Sequence, residues 1–107
     1  MKDFDKIIWR NALTFVDFFA VWCEPCRAMT PVIDRFQKQM NGRADVYRMD
    51  IEDPDLIEIV RRYNITSVPT LMFFRRGEVL WRESGRMDYE HLVNVLNELE
   101  KHEHVLL

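Results

Sequence analysis

V-D-F-F-A-V-W-C-E-P-C-R, Val16 to Arg27, decides the fold. Its first half belongs to an apolar run, Leu13 to Val21, rich in aromatic and β-branched residues. The one charge in that run is Asp17, so it reads as a central strand buried on both faces. Its second half opens a helix: Met29, Val32, Ile33, Phe36 and Met40 recur at the spacing of one helical face, and Gly42 ends it. Pro31 falls inside that stripe and predicts a kink. Between strand and helix, after Trp22, stands the tetrad Cys23-Glu24-Pro25-Cys26. Two residues between thiols is the spacing at which one turn at a helix start brings the sulfurs within bonding reach. The chain has 2 cysteines in 107 residues, so neither belongs to a larger disulfide framework. With no secretory signal to read, C-x-x-C beside a β-α-β pattern points to a redox pair.

The flanking sequence completes the frame. Asp3 is placed to cap a short helix with Phe4, Ile7 and Ile8 inside. Asp45 to Ile51 reads as a second strand. Asp53 then caps a helix with Pro54 at its first position and Leu56, Ile59, Val60 and Tyr63 on one face. Thr70 to Phe74 is a buried strand and Glu78 to Glu83 a more polar one. Arg75-Arg76-Gly77 joins them, with Gly77 in the left-handed turn position. Asp88 caps the last helix, striped by Leu92, Val95, Leu96 and Leu99. A parallel crossover followed by an antiparallel hairpin makes an α/β fold with a mixed four-stranded sheet and helices on both faces.

Composition narrows the function classes. The length fits one domain, residues 1–107, with its own core. A net charge of −3 argues against nucleic acid or an anionic membrane as the main partner. No apolar stretch approaches the ~20 residues of a membrane span. The acidic start Met1-Lys2-Asp3-Phe4-Asp5-Lys6 lacks the apolar region of a signal peptide, so a cytoplasmic location is expected.

Val16 to Arg27, Pro31, Ser67-Val68-Pro69-Thr70, Gly77 and Gly85 together resemble the thioredoxin family, and the resemblance covers nearly the whole chain from Leu13 onward. It implies the thioredoxin fold and a thiol-disulfide oxidoreductase that reduces protein disulfides. Cys23, at a helix start whose dipole favours a thiolate, is then the nucleophile on the substrate disulfide. Cys26, one turn inward and less exposed, resolves the mixed disulfide. Pro25 suits the first turn and stiffens the approach of the sulfurs. Asp17 is the buried carboxyl that removes or returns the Cys26 proton, and Arg48 takes the place of the lysine that often pairs with it. Pro69 is expected to be cis. Trp22, Val68, Pro69, Gly85 and Arg86 are expected to rim the substrate groove, where the chain binds in a strand-like pairing. The resemblance implies no bound cofactor: electrons come from NADPH through a thioredoxin reductase, and the other partners are oxidised proteins. No metal site is expected, since His91, His102 and His104 lie in or beyond the final helix.

The chain departs from the family pattern in four places. Glu24 stands where thioredoxins usually carry glycine. A carboxylate ~7 Å from the Cys23 sulfur opposes its thiolate by about 0.6 kcal/mol in water. The helix terminus favours that thiolate by roughly 0.3–1 kcal/mol. The two nearly cancel, which predicts a Cys23 pKa near that of an unperturbed thiol and a reducing potential. Phe19 replaces a second tryptophan. Arg86 replaces a small residue and is expected to redirect partner choice. Finally, Met1 to Asp3 cannot supply the usual first strand, which leaves Asp45 to Ile51 at the sheet edge. Asp45, Arg48 and Asp50 would blunt that edge, so a monomer is expected.

Two other readings compete. One is a thiol oxidant or isomerase of exported proteins, which wants an export signal and an electropositive thiolate that Glu24 opposes. The other is a non-catalytic interaction module using the groove around Trp22 and Pro69, which would need neither Cys26 nor Asp17.

Overall fold

The computed structural model describes residues 2–101. Met1 and residues 102–107 lie outside it, so His102 and His104 are not placed. The elements run α1 (Lys2–Ile8), β1 (Thr14–Phe19), α2 (Glu24–Gln39), β2 (Asp45–Asp50), a 3-10 turn (Pro54–Leu56) into α3 (Ile57–Arg62), β3 (Thr70–Arg75), β4 (Glu78–Ser84) and α4 (Tyr89–Lys101). The sheet order is β2-β1-β3-β4, with β1–β2 parallel and the other two pairings antiparallel. This is the mixed four-stranded sheet the sequence predicts, and β2 is an edge strand.

Alternation along the central strands builds a core on each side of the sheet. Phe15, Leu71 and Phe73 pack with Ile33 and Phe36 of α2 and Leu92 and Leu96 of α4. Val16, Phe18, Met72 and Phe74 pack with Phe4 and Ile8 of α1 and Ile59 of α3. Removing each such side chain from water contributes roughly 1.5–3 kcal/mol before the entropy of ordering is subtracted. Asp17 shares the face of Phe15, so its carboxyl lies under α2 rather than under α1 and α3.

Local chemistry shifts several boundaries. The first helix begins at Lys2, which puts Asp3 in its first turn instead of at its cap. Asp53 does cap its segment, accepting from the Asp55 N–H at 2.9 Å, but Pro54–Leu56 is a 3-10 turn before α3 begins. Helix α2 runs on through Pro31. Asp88 accepts from the His91 N–H at 2.9 Å at the start of α4.

At the β3–β4 hairpin both central residues are left-handed, Arg76 at φ 52° and Gly77 at φ 80°. That conformation suits the twist of a two-residue hairpin. The turn also reaches back to the chain start. The Gly77 N–H donates to the Ile8 carbonyl at 2.8 Å and the Arg76 N–H to the Arg10 carbonyl at 2.9 Å. A Cβ on Gly77 would collide with the Trp9 ring.

Candidate functional site

The polypeptide leaves the end of β1, turns through residues 20–22 and enters α2 at its capping residue, Cys23. The turn is tied down twice: the Cys23 N–H donates to the Ala20 carbonyl at 3.1 Å, and Arg27 donates to the Val21 carbonyl at 2.8 Å. As cap, Cys23 has extended backbone angles, and its sulfur accepts the Cys26 N–H at 3.2 Å. Serine and threonine caps satisfy the same orphan amide. Here the acceptor is a sulfur, so the amide and the helix dipole both favour negative charge on Cys23. Pro25, within the first turn, lacks the amide that would otherwise need a partner.

Cys23 and Cys26 are joined as a disulfide, with Cα atoms 5.2 Å apart. Both are covered, 4% and 3% exposed. Cys26 is the less exposed of the two only by a small margin: with the ring closed, they are buried almost equally. Ala20, Ile51, Phe19 and Val68 pack around them. Cys23 Sγ sits 3.6 Å from the Val68 carbonyl oxygen, and the Val68–Pro69 peptide is cis.

Beneath α2, Asp17 pairs in register with Arg48 of β2. Asp17 is 2% exposed, and only its Oδ2 meets the guanidinium, at 3.4 Å. Its Oδ1 is buried with no hydrogen-bond partner. Burial pushes the Asp17 carboxyl up to about 6, against the smaller opposing pull of Arg48. Arg48 is held by more than that carboxylate. Its guanidinium lies over the Phe19 ring at 4.7 Å and donates to the Thr30 hydroxyl at 3.4 Å. Thr30 stands one helical turn beyond Cys26, so Arg48 ties Asp17 to the helix that carries the cysteines.

A groove of about 410 Å³ runs beside the disulfide. Pro25, Ala28, Val68, Pro69 and Gly85 form its apolar part, and Glu24 and Arg86 are its charged members. Trp22, expected on the same rim, is not part of this lining. It is 62% exposed and donates its ring N–H to Glu52 at 2.6 Å. Sequence reasoning did not anticipate Glu52, Thr30 or Ala28. Glu52 lies two positions past β2, and nothing in its neighbours marks it as a tryptophan's partner. Among the described residues, no group of three or more His, Cys, Asp or Glu could hold a metal ion, and no helix is long and apolar enough to cross a membrane.

Comparison with known proteins agrees with this geometry. The family model described as Thioredoxin matches residues 1–98. The chain is 38% identical over 98 residues to thioredoxin of Rickettsia felis, covering 90% of each chain. It is 34% identical over 97 residues to thioredoxin of Rickettsia bellii, again covering 90% of each. Against thioredoxin-1 of Saccharomyces cerevisiae it is 34% identical over 84 residues, 78% of this chain and 79% of the relative. A redox-active cysteine pair on a matching fold, with relatives spanning nearly the full length, places the chain in the thioredoxin family of protein disulfide reductases, which work by dithiol-disulfide exchange.

Proposed function

We propose that Cys23 is the attacking sulfur, Cys26 the resolving sulfur and Asp17 the proton carrier for Cys26, within a single domain, residues 1–107. The Cys23 thiolate attacks one sulfur of a substrate disulfide, forming a mixed disulfide and releasing the other substrate sulfur, which takes up a proton. Cys26 gives its proton toward Asp17 and attacks Cys23 Sγ. The Cys23–Cys26 bond forms, and the second substrate sulfur leaves and is protonated. Two electrons have then moved from protein to substrate, with one proton from Cys26 by way of Asp17 and one from solvent, which had taken the Cys23 proton when the thiolate formed. NADPH restores the dithiol through a thioredoxin reductase. We further propose that the protein acts as a cytoplasmic monomer, serving electron transport and redox homeostasis and binding neither nucleic acid nor membrane.

The observation that carries this reading is the Cys23 sulfur capping α2 while accepting the Cys26 amide. An acceptor site there supports a thiolate on Cys23. A carboxyl held near 6 is matched to moving a proton at neutral pH. Trp22, Val68 and Pro69 would present the docking surface, with the Val68 backbone pairing to the substrate strand.

Dithiothreitol-driven insulin precipitation tests the reading. Wild type should accelerate it, and Cys26→Ser should lose the acceleration while accumulating protein–substrate mixed disulfide through Cys23. Indifference to Cys26→Ser would instead favour the non-catalytic module.

A further inference from the structure

Resting on the assignment of Cys23 as attacking sulfur, we infer that Arg86 directs this protein to disulfides with an Asp or Glu side chain near the attacked cysteine. A substrate sulfur bonded to Cys23 lies beside the Val68 carbonyl, 3.6 Å from Cys23 Sγ, and Val68 is also a wall of the groove. The substrate chain therefore passes along that groove on its way to or from the reacting sulfur.

The two walls of the groove differ in sign. Glu24, Pro25 and Ala28 come from α2, whereas Val68, Pro69, Gly85 and Arg86 come from the loops flanking β3 and β4. Neither charge is neutralised from within: no ion pair joins Glu24 or Arg86 to another described residue. Most other arginines are engaged. Arg10, Arg43, Arg48 and Arg62 meet carboxylates, and Arg27 and Arg82 meet backbone carbonyls. Arg86 is exposed and keeps its full set of donors for an incoming group.

The backbone just before it, by contrast, is anchored. The Gly85 N–H donates to the Pro69 carbonyl at 2.9 Å, and the Thr70 and Ser84 hydroxyls share a hydrogen bond at 2.8 Å. The Arg86 side chain adjusts from that footing. A planar guanidinium donates two parallel hydrogen bonds to a carboxylate, whereas a lysine on the substrate is itself a cation with no acceptor to offer. Glu24 repels a carboxylate from the opposite wall, so the acidic side chain is steered to the loop wall and the register of the substrate is set with it.

The test uses disulfide-linked peptides identical except for Asp, Asn or Lys two positions before or after the attacked cysteine. Pre-reduced protein is mixed with each, and the second-order reduction rate is followed. At low ionic strength wild type should reduce the better-placed Asp peptide roughly three- to tenfold faster than its Lys counterpart, with the preference shrinking at high salt. The ratio is taken within each variant, so any overall change in rate cancels. Arg86→Ala should bring the ratio to one or below, since Glu24 then acts alone in the groove, and Arg86→Glu should invert it more strongly. An equal ratio in wild type, or an Asp preference that survives Arg86→Ala, overturns the inference while leaving disulfide exchange intact. Failure of wild type to reduce even the Asn peptides would overturn the exchange reading, and this inference with it.

Discussion

Asp17 and Arg48 stand opposite each other across the β1–β2 ladder, yet the guanidinium reaches only one carboxylate oxygen and leaves the other buried and unpartnered. Desolvation therefore wins over attraction, and the carboxyl rises from 3.8 to about 6. A carboxyl raised on folding is no burden below about pH 4, where folded and unfolded chains both hold the proton. Stability is lost as pH climbs from about 4 to about 6, where the unfolded chain has released the proton that the folded chain still holds, and the loss is complete once the buried group ionises. The full cost corresponds to about 3 kcal/mol. Asp17→Asn should therefore stabilise the oxidised protein by about 2–3 kcal/mol near pH 8, less whatever Arg48 loses, and by almost nothing near pH 4. Urea midpoints across that range check it, and equal midpoints for the two proteins at pH 8 would contradict it. The same variant should slow resolution of the mixed disulfide near neutral pH.

Glu24 is exposed at the first position of α2, beside the sulfur that caps the helix. Removing its charge in Glu24→Gly should lower the Cys23 pKa by about 0.4, the equivalent of about 0.6 kcal/mol. A thiolate so favoured stabilises the dithiol, so the reduction potential should become less negative by about 13 mV. Thiolate absorbance titration and a glutathione redox buffer read the two quantities. A potential that moves the other way would sink the electrostatic account.

Trp22 is held to Glu52 by a 2.6 Å hydrogen bond at the surface. In Glu52→Ala the indole loses its tether while the core is untouched. The expected result is a changed tryptophan emission and a KM for insulin raised by about threefold, with stability altered by no more than about 0.5 kcal/mol. A KM equal to wild type would show that the tether does not position Trp22 for substrate.

Gly77 and Gly85 both have left-handed φ, but only Gly77 lies against another side chain, the Trp9 ring. Gly85→Ala should cost about 1 kcal/mol from backbone conformation alone. Gly77→Ala should cost about 1–2 kcal/mol because the ring must also move. Trp9→Ala in the Gly77→Ala background should recover part of that, a coupling of about 0.5–1 kcal/mol in a double-mutant cycle of denaturant midpoints. Strict additivity would mean the contact is not felt.

Much of this was legible in the amino-acid sequence because the strongest signals are local. The apolar run before Cys23, the stripe from Met29 to Met40 and the Asp88 cap each follow from neighbours a few positions apart. Asp17 announced itself by breaking an apolar strand. The Trp22–Glu52 tether, the Thr30–Arg48 contact and the anchoring of the hairpin turn on Ile8 and Arg10 were hidden, since each joins segments that only the folded sheet brings together. Arg76 in a left-handed conformation was missed for a related reason: the hairpin twist overrides that residue's own preference. The near-equal burial of the two cysteines depends on Ile51 and Val68, contributed by distant loops.

The union of the β3–β4 turn with the carbonyls of Ile8 and Arg10 bears on how the chain comes together during synthesis. The first helix is made early, but the amides that grip its end belong to residues 76 and 77, and the rings that bury Phe4 include Phe74. Until that hairpin emerges, Phe4 can meet Phe18 and Tyr63 but the end of the helix lacks the amides that hold it, so segments about seventy positions apart complete their packing only once both are made.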